Sequence, residues 1–184
     1  MDREATFRRI VHLSAPLSLI YYYLPSPIWS GGPTREFGLL FLLLIVLIVE
    51  SLRLLIGFHV PGLRNYEKKR ISAGAWAAIA MTFTMLFFPL SIAAPAITGM
   101  AIIDPLISAI RNTRWYPWIP MISYFLLAIS LLSLFYPLSS RIIFAAAIGS
   151  FLAIGSEALR CRRVDDDFLM IVIPLLGMAA VICI

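Results

Sequence analysis

Charge is what this chain has least of. Only 14% of its 184 residues are Asp, Glu, Lys or Arg and 61% are hydrophobic, whereas a water-soluble domain carries about 25% charged and about 45–50% apolar residues. That deficit excludes an ordinary soluble domain. It also leaves no stretch long and polar enough for a separate soluble module, so residues 1–184 are expected to form one integral membrane domain. Cysteine is scarce too. Cys161 and Cys183 fall near opposite ends of consecutive predicted helices, too far apart for a bridge, so no disulfide framework is expected. No low-complexity tract or internal repeat is visible. The opening MDREATFRRIVHL is charged and lacks a small-residue cleavage site behind a short apolar core, so it is not expected to be a cleaved signal peptide.

What is present is a series of long apolar runs, and a membrane span needs about 20 such residues. Breaks at charges, Pro and Gly divide them into seven predicted spans, roughly 7–24, 37–56, 71–88, 91–110, 119–136, 141–159 and 168–184. The expected fold is therefore all-α, a polytopic bundle of about seven transmembrane helices. His12 and Pro16 interrupt the first span. The turn at Phe88-Pro89-Leu90 makes a hairpin of the third and fourth.

Basic residues orient the bundle. With seven spans, all 15 Lys and Arg except Arg35 and Arg141 fall on the face that carries the N-terminus. Positive charge accumulates on cytoplasmic loops, so the N-terminus is expected in the cytoplasm and the C-terminus opposite. Trp115, Tyr116 and Trp118 fit an aromatic belt on the first face, and Tyr21, Tyr22, Tyr23 and Trp29 one on the second. The net charge of +5 is thereby explained without a nucleic-acid partner.

All ten acidic residues except Glu36 lie near that same face. Carboxylates in hydrocarbon cost up to about 2.5–3.5 kcal/mol, less near the interface, and are expected to face the bundle interior with a partner. Glu50 with Arg53, and Glu157 with Arg160, are three apart and so spaced for local ion pairs that anchor helix ends. Glu67 and Arg111 belong to the same polar layer. Asp104 in AIIDPLISAIR lies deepest, roughly 10 Å from its helix end at 1.5 Å per residue. It has no basic residue within one turn, and Pro105 follows it, which predicts interrupted backbone lining a cavity.

RVDDDFLMIVIPLL places Asp165, Asp166 and Asp167 before the last apolar run. One Asp suffices to cap a helix; three adjacent ones repel and suggest a divalent cation such as Mg²⁺, usually held by one or two carboxylates plus substrate phosphates. Arg8, Arg9 and His12 open the first span. Lys68, Lys69 and Arg70, with Arg64, precede Ser72 and Gly74 at the start of the third. Such cations and helix N-terminal amides together suit phosphate.

Four of these stretches, FRRIVHLSAP, YEKKRISAG, IIDPLISAIR and VDDDFLMIVIPL, taken in order, resemble the polyprenol kinase family of dolichol and phytol kinases. The resemblance covers nearly the whole chain. It implies Mg²⁺-dependent transfer of the terminal phosphate of a nucleoside triphosphate, often CTP, to a lipid alcohol drawn from the bilayer. Asp104, Asp165 and Asp166 are then candidate catalytic or metal carboxylates; Arg8, Arg9, His12, Lys68, Lys69, Arg70 and Ser72 are candidate phosphate contacts; Glu50, Glu67, Arg111 and Glu157 are supporting polar groups. Three departures stand out. Ile103 replaces the Gly before the Asp-Pro step, Asp167 replaces Asn, and NTRWYPWIPMIS stands where the family carries Lys-Ser/Thr-x-Glu-Gly. The last implies altered nucleotide binding, another donor, or lost activity. A CDP-alcohol-forming cytidylyltransferase and a non-catalytic transporter or lipid-binding relative are the alternatives. The cytidylyltransferase signature is absent, and the far halves of the spans contain almost nothing ionisable to continue a transport path.

Overall fold

Prolines, glycines and small hydroxyl residues set the helix limits. The computed structural model describes residues 3–58, 67, 69–158 and 164–183, and the side chains of these other than 3–8. Helix α1 spans Arg3–Ser14 and runs on as a 3₁₀ helix, Ala15–Tyr23. Then follow α2 (Arg35–Ile56), α3 (Ala73–Phe87), α4 (Leu90–Ile110), α5 (Trp118–Leu132), α6 (Ser140–Ala158) and α7 (Asp166–Cys183). The described residues contain no strand. Each helix lies within a few residues of a predicted span.

The interrupted first span has a physical cause. Pro16 has no amide to donate to the carbonyl four residues back, so the α-helix stops at Ser14 and the chain tightens into 3₁₀ geometry. The Ser14 and Ser18 hydroxyls donate to Val11 O and Ala15 O, both at 2.7 Å. Helix α2 is bounded conventionally. Thr34 Oγ1 accepts from the Phe37 amide at 3.2 Å, and Gly57, at φ +78°, takes the left-handed conformation that a side chain would resist.

The interruption expected at Pro105 is absent. Helix α4 continues through both Pro95 and Pro105, and α7 through Pro174. Neighbouring helices bury most of α4 and hold it helical although two hydrogen bonds of its ladder cannot form. It is the centre of the core: Ile92, Ala93, Ala96, Ile97, Met100, Ala101, Ile103 and Ile107 are all buried. Helices α6 and α7 pack most extensively, and glycines allow the approach. A Cβ on Gly149 would stand 2.8 Å from Met178 Cγ, and one on Gly177 2.3 Å from Leu152 Cδ1.

Helix α2 is inverted relative to a soluble protein. Its buried residues are Glu50 and Arg53, while Phe41, Leu42, Leu44, Ile48 and Leu55 are exposed. A 22-residue helix that hides its charges and presents its hydrocarbon matches a lipid solvent. Helices α2, α4, α6 and α7 are long and apolar enough to cross a membrane. Helices α3 and α5 have 15 residues each, about 22 Å at 1.5 Å per residue.

The belt assigned to the second face is partly internal. Tyr23 and Trp29 are exposed, but Tyr21 is buried and Tyr22 donates to Phe88 O at 2.8 Å. Arg35 lies over the Tyr21 ring, 5.3 Å from its centroid, and pairs with Glu36 at 2.8 Å. The hydroxyls of Ser91 and Tyr136 meet at 2.9 Å. These contacts fasten the end of the bundle opposite the acidic layer.

Candidate functional site

Three helices deliver one buried cluster. His12 lies in the last turn of α1, Asp104 two turns from the end of α4, and Asp167 in the first turn of α7. His12 Nε2 is 3.4 Å from Asp167 Oδ2, and His12 Nδ1 is 4.0 Å from Asp104 Oδ2. The side chains retain 10%, 3% and 16% of their exposure for His12, Asp167 and Asp104 respectively. One ligand atom from each falls within 4.8 Å of the other two. A protonated imidazole or a metal ion in this position would each offset the charge of the two carboxylates.

The acidic segment divides its work differently from the expectation. Asp165 precedes α7, and its Oδ1 accepts from the Asp167 amide at 3.2 Å. It therefore acts as a helix cap. Asp166 is half-buried, and Asp167, standing where the family resemblance has Asn, is the one turned inward. Among the described residues, the sets of three that close to within 4.8 Å are His12–Asp104–Asp167 and Asp165–Asp166–Asp167. The expected metal set of Asp104, Asp165 and Asp166 does not assemble, because the register of α7 points Asp167 toward α4. The set that does assemble contains a nitrogen donor, a poor match to Mg²⁺, which prefers oxygen ligands.

The other polar residues form two supports. The carboxylate of Glu50 accepts from Arg53 Nε at 3.0 Å and Nη2 at 2.7 Å. It also accepts from the Ser72 amide at 2.6 Å and the Ser72 hydroxyl at 3.1 Å. Arg53 donates onward to the carbonyls of Glu67 at 3.0 Å and Arg70 at 2.5 Å. Glu67 Oε1 accepts from the Ala73 amide at 3.2 Å, and Ser72 Oγ from the Ala75 amide at 3.3 Å. Carboxylates and a hydroxyl of the chain itself thus occupy most of the α3 N-terminal amides proposed for phosphate. Ser72 is the cap of α3. The local pairing expected of Glu50 and Arg53 is present, and it also anchors residues 67–72.

Glu157 pairs with Arg111, across from α4 to α6, and accepts from Tyr116 Oη at 3.1 Å. Tyr116, assigned to a belt, therefore also braces this end of the bundle. Arg9, Lys69 and Arg70 are exposed. The side chain of Arg8, together with Arg64, Lys68, Arg160, Arg162, Arg163 and Cys161, lies outside the described residues. Trp76 in the first turn of α3, two residues past YEKKRISAG, packs edge-on against Phe168, with ring centroids 5.4 Å apart, which ties the start of α3 to the start of α7. Sequence reasoning undervalued Asp167. In the structure it shares its face with Met170, Ile171, Pro174 and Leu175, three, four, seven and eight positions on and all buried; because α7 is apolar all round, nothing in the sequence marks that face. No protein-family model, no curated protein and no solved structure matches this chain.

Proposed function

We propose that this chain is a membrane-embedded kinase that transfers the terminal phosphate of a nucleoside triphosphate, CTP favoured, to a lipid or isoprenoid alcohol. One observation supports the reading: FRRIVHLSAP, IIDPLISAIR and VDDDFLMIVIPL meet at one end of the bundle in the His12–Asp104–Asp167 cluster, and Trp76, two residues past YEKKRISAG, packs against Phe168 beside it. In this reading all seven helical segments span the bilayer. The cluster faces the cytoplasm, and the C-terminus lies opposite, as the distribution of the basic residues suggests. The bilayer thins around the short α3 and α5, at a cost of fractions of a kcal/mol per Å.

The alcohol enters laterally from lipid with its hydroxyl at the acidic layer. Asp104, more exposed than Asp167, accepts the hydroxyl's hydrogen bond and then its proton. The alcohol oxygen attacks the terminal phosphorus, the bond to the bridging oxygen breaks, and the nucleoside diphosphate leaves with that oxygen. Arg9, Lys69 and Arg70, with Arg8 and Lys68, offset charge on the phosphates. Mg²⁺ belongs to the reading as the ion that travels with the nucleotide and neutralises its phosphates.

The test is purified protein with Mg²⁺, each labelled nucleoside triphosphate in turn, and a panel of isoprenoid alcohols and diacylglycerol. Labelled phosphate should enter the lipid phase, and Asp104→Asn should lower the rate by about 10²–10⁴-fold. A CMP-lipid product would instead favour the cytidylyltransferase. No product with any pair would sink the kinase and favour a non-catalytic relative, consistent with NTRWYPWIPMIS in place of the family's Lys-Ser/Thr-x-Glu-Gly. Full activity in Asp104→Asn would remove that residue from the mechanism.

A further inference from the structure

The geometry points to His12, Asp104 and Asp167 as a resident site for a borderline first-row divalent cation, of the Zn²⁺ or Co²⁺ kind, distinct from any Mg²⁺ that accompanies a nucleotide. The inference concerns the same cluster as the kinase reading and rests on that reading only for what the ion would do, not for its presence.

Its first support is donor chemistry. The cluster offers one imidazole and two carboxylates, and imidazole suits Zn, Fe, Cu and Ni while pure oxygen sets suit Mg and Ca. Its second support is spacing. With metal–ligand bonds of about 2.0–2.2 Å, neighbouring donors around a tetrahedral ion stand roughly 3.3–3.6 Å apart. His12 Nε2 and Asp167 Oδ2, at 3.4 Å, already have that separation. Asp104 Oδ2 is nearest the other ring nitrogen, Nδ1, at 4.0 Å; one ligand atom from each of the three residues lies within 4.8 Å of the others, so a turn of the Asp104 side chain brings it to an ion on Nε2.

Preorganisation is the third support. The donors come from three helices, α1, α4 and α7, packed about one core, so their positions are fixed by the fold and not by a loop. With three protein ligands, the site would keep an open coordination position. That is the arrangement of a reactive ion, since closed structural sites have four.

The experiment uses the full chain in detergent or nanodiscs, stripped with a chelator and titrated with Co²⁺ alone, without nucleotide or lipid alcohol. Saturable binding of about one Co²⁺ per chain with a visible ligand-field band is expected, displaced by Zn²⁺ and resistant to a hundredfold excess of Mg²⁺. His12→Ala and Asp167→Ala should each weaken binding at least tenfold, while Glu36→Gln, at the opposite end, leaves it unchanged. His12→Cys guards against loss of folding: folded protein should keep Co²⁺ and gain a thiolate-to-cobalt charge-transfer band. Absence of saturable binding overturns the site. So does binding that persists in His12→Ala and Asp167→Ala, easy displacement by Mg²⁺, or a folded His12→Cys protein without the new band. Cobalt binding without lipid phosphorylation would leave the ion site standing and remove the kinase. Phosphorylation without saturable cobalt binding would do the reverse.

Discussion

Glu50→Ala should be among the most damaging single substitutions in this chain. The Glu50 carboxylate receives four hydrogen bonds, from Arg53 Nε and Nη2 and from the Ser72 amide and hydroxyl. Removing it strands Arg53, whose residue exposure is only 3%. It also leaves the Ser72 amide and the link to residues 67–72 without their acceptor. Breaking one side of a buried ion pair costs about 3–5 kcal/mol, because the remaining charge stays desolvated. For a chain of this size each kcal/mol shifts the midpoint by about 2–4 °C, so a fall of roughly 6–20 °C is expected. The assay is thermal unfolding in nanodiscs followed by tryptophan fluorescence, read beside the double variant Glu50→Leu/Arg53→Met. Replacing both charges with apolar groups should restore at least half of the loss, although the Glu67 and Arg70 carbonyls still lack their donor. A single-variant shift under about 2 °C, or a double variant no better than the single, would refute the claim that a stranded Arg53 charge is the main cost.

Two further outcomes test the packing and the acidic segment. Gly99→Ala should destabilise by about 1–3 kcal/mol, because its Cβ would stand 2.4 Å from Cε2 of the fully buried Tyr124; Tyr124→Leu should relieve it, and thermal stability unchanged in Gly99→Ala would show that α4 and α5 are not so closely seated. Asp165→Asn should keep near-native stability and Asp165→Ala should lose about 1 kcal/mol, as expected of a helix cap; equal losses in both variants, measured by thermal unfolding, would mean that the charge of Asp165 matters more than its capping oxygen.

Most of the scaffold was legible in the chain. Long apolar runs punctuated by Pro, Gly and charge defined the helices to within a few residues, because in lipid the backbone has little option but to satisfy itself within each segment. Ser72 before α3 and Thr34 before α2 carried their capping chemistry in the side chain alone. The Glu50–Arg53 spacing identified a pair on one helix face without any knowledge of its neighbours. Two local readings failed where packing overrode them. Pro105 left α4 helical because the surrounding helices hold it, and Tyr21 and Tyr22 turned inward because Arg35 and the Phe88 carbonyl lie there.

The candidate site was legible only in part. The sequence by itself marked an acidic layer, named Asp104 within it, and set His12 among the cations expected to contact phosphate. It could not choose among Asp165, Asp166 and Asp167. Consecutive helix residues point about 100° apart, and α7 is apolar on every side, so no polar face reveals which way it sits. Its packing against α3, α4 and α6 made the choice, burying Asp167 in line with Met170, Ile171 and Pro174 and leaving Asp165 to cap the helix. Composition and periodicity therefore determined a membrane helical bundle with its charge gathered at one end. Only tertiary structure, which fixes the rotation of each helix about its own axis, decided which three side chains meet.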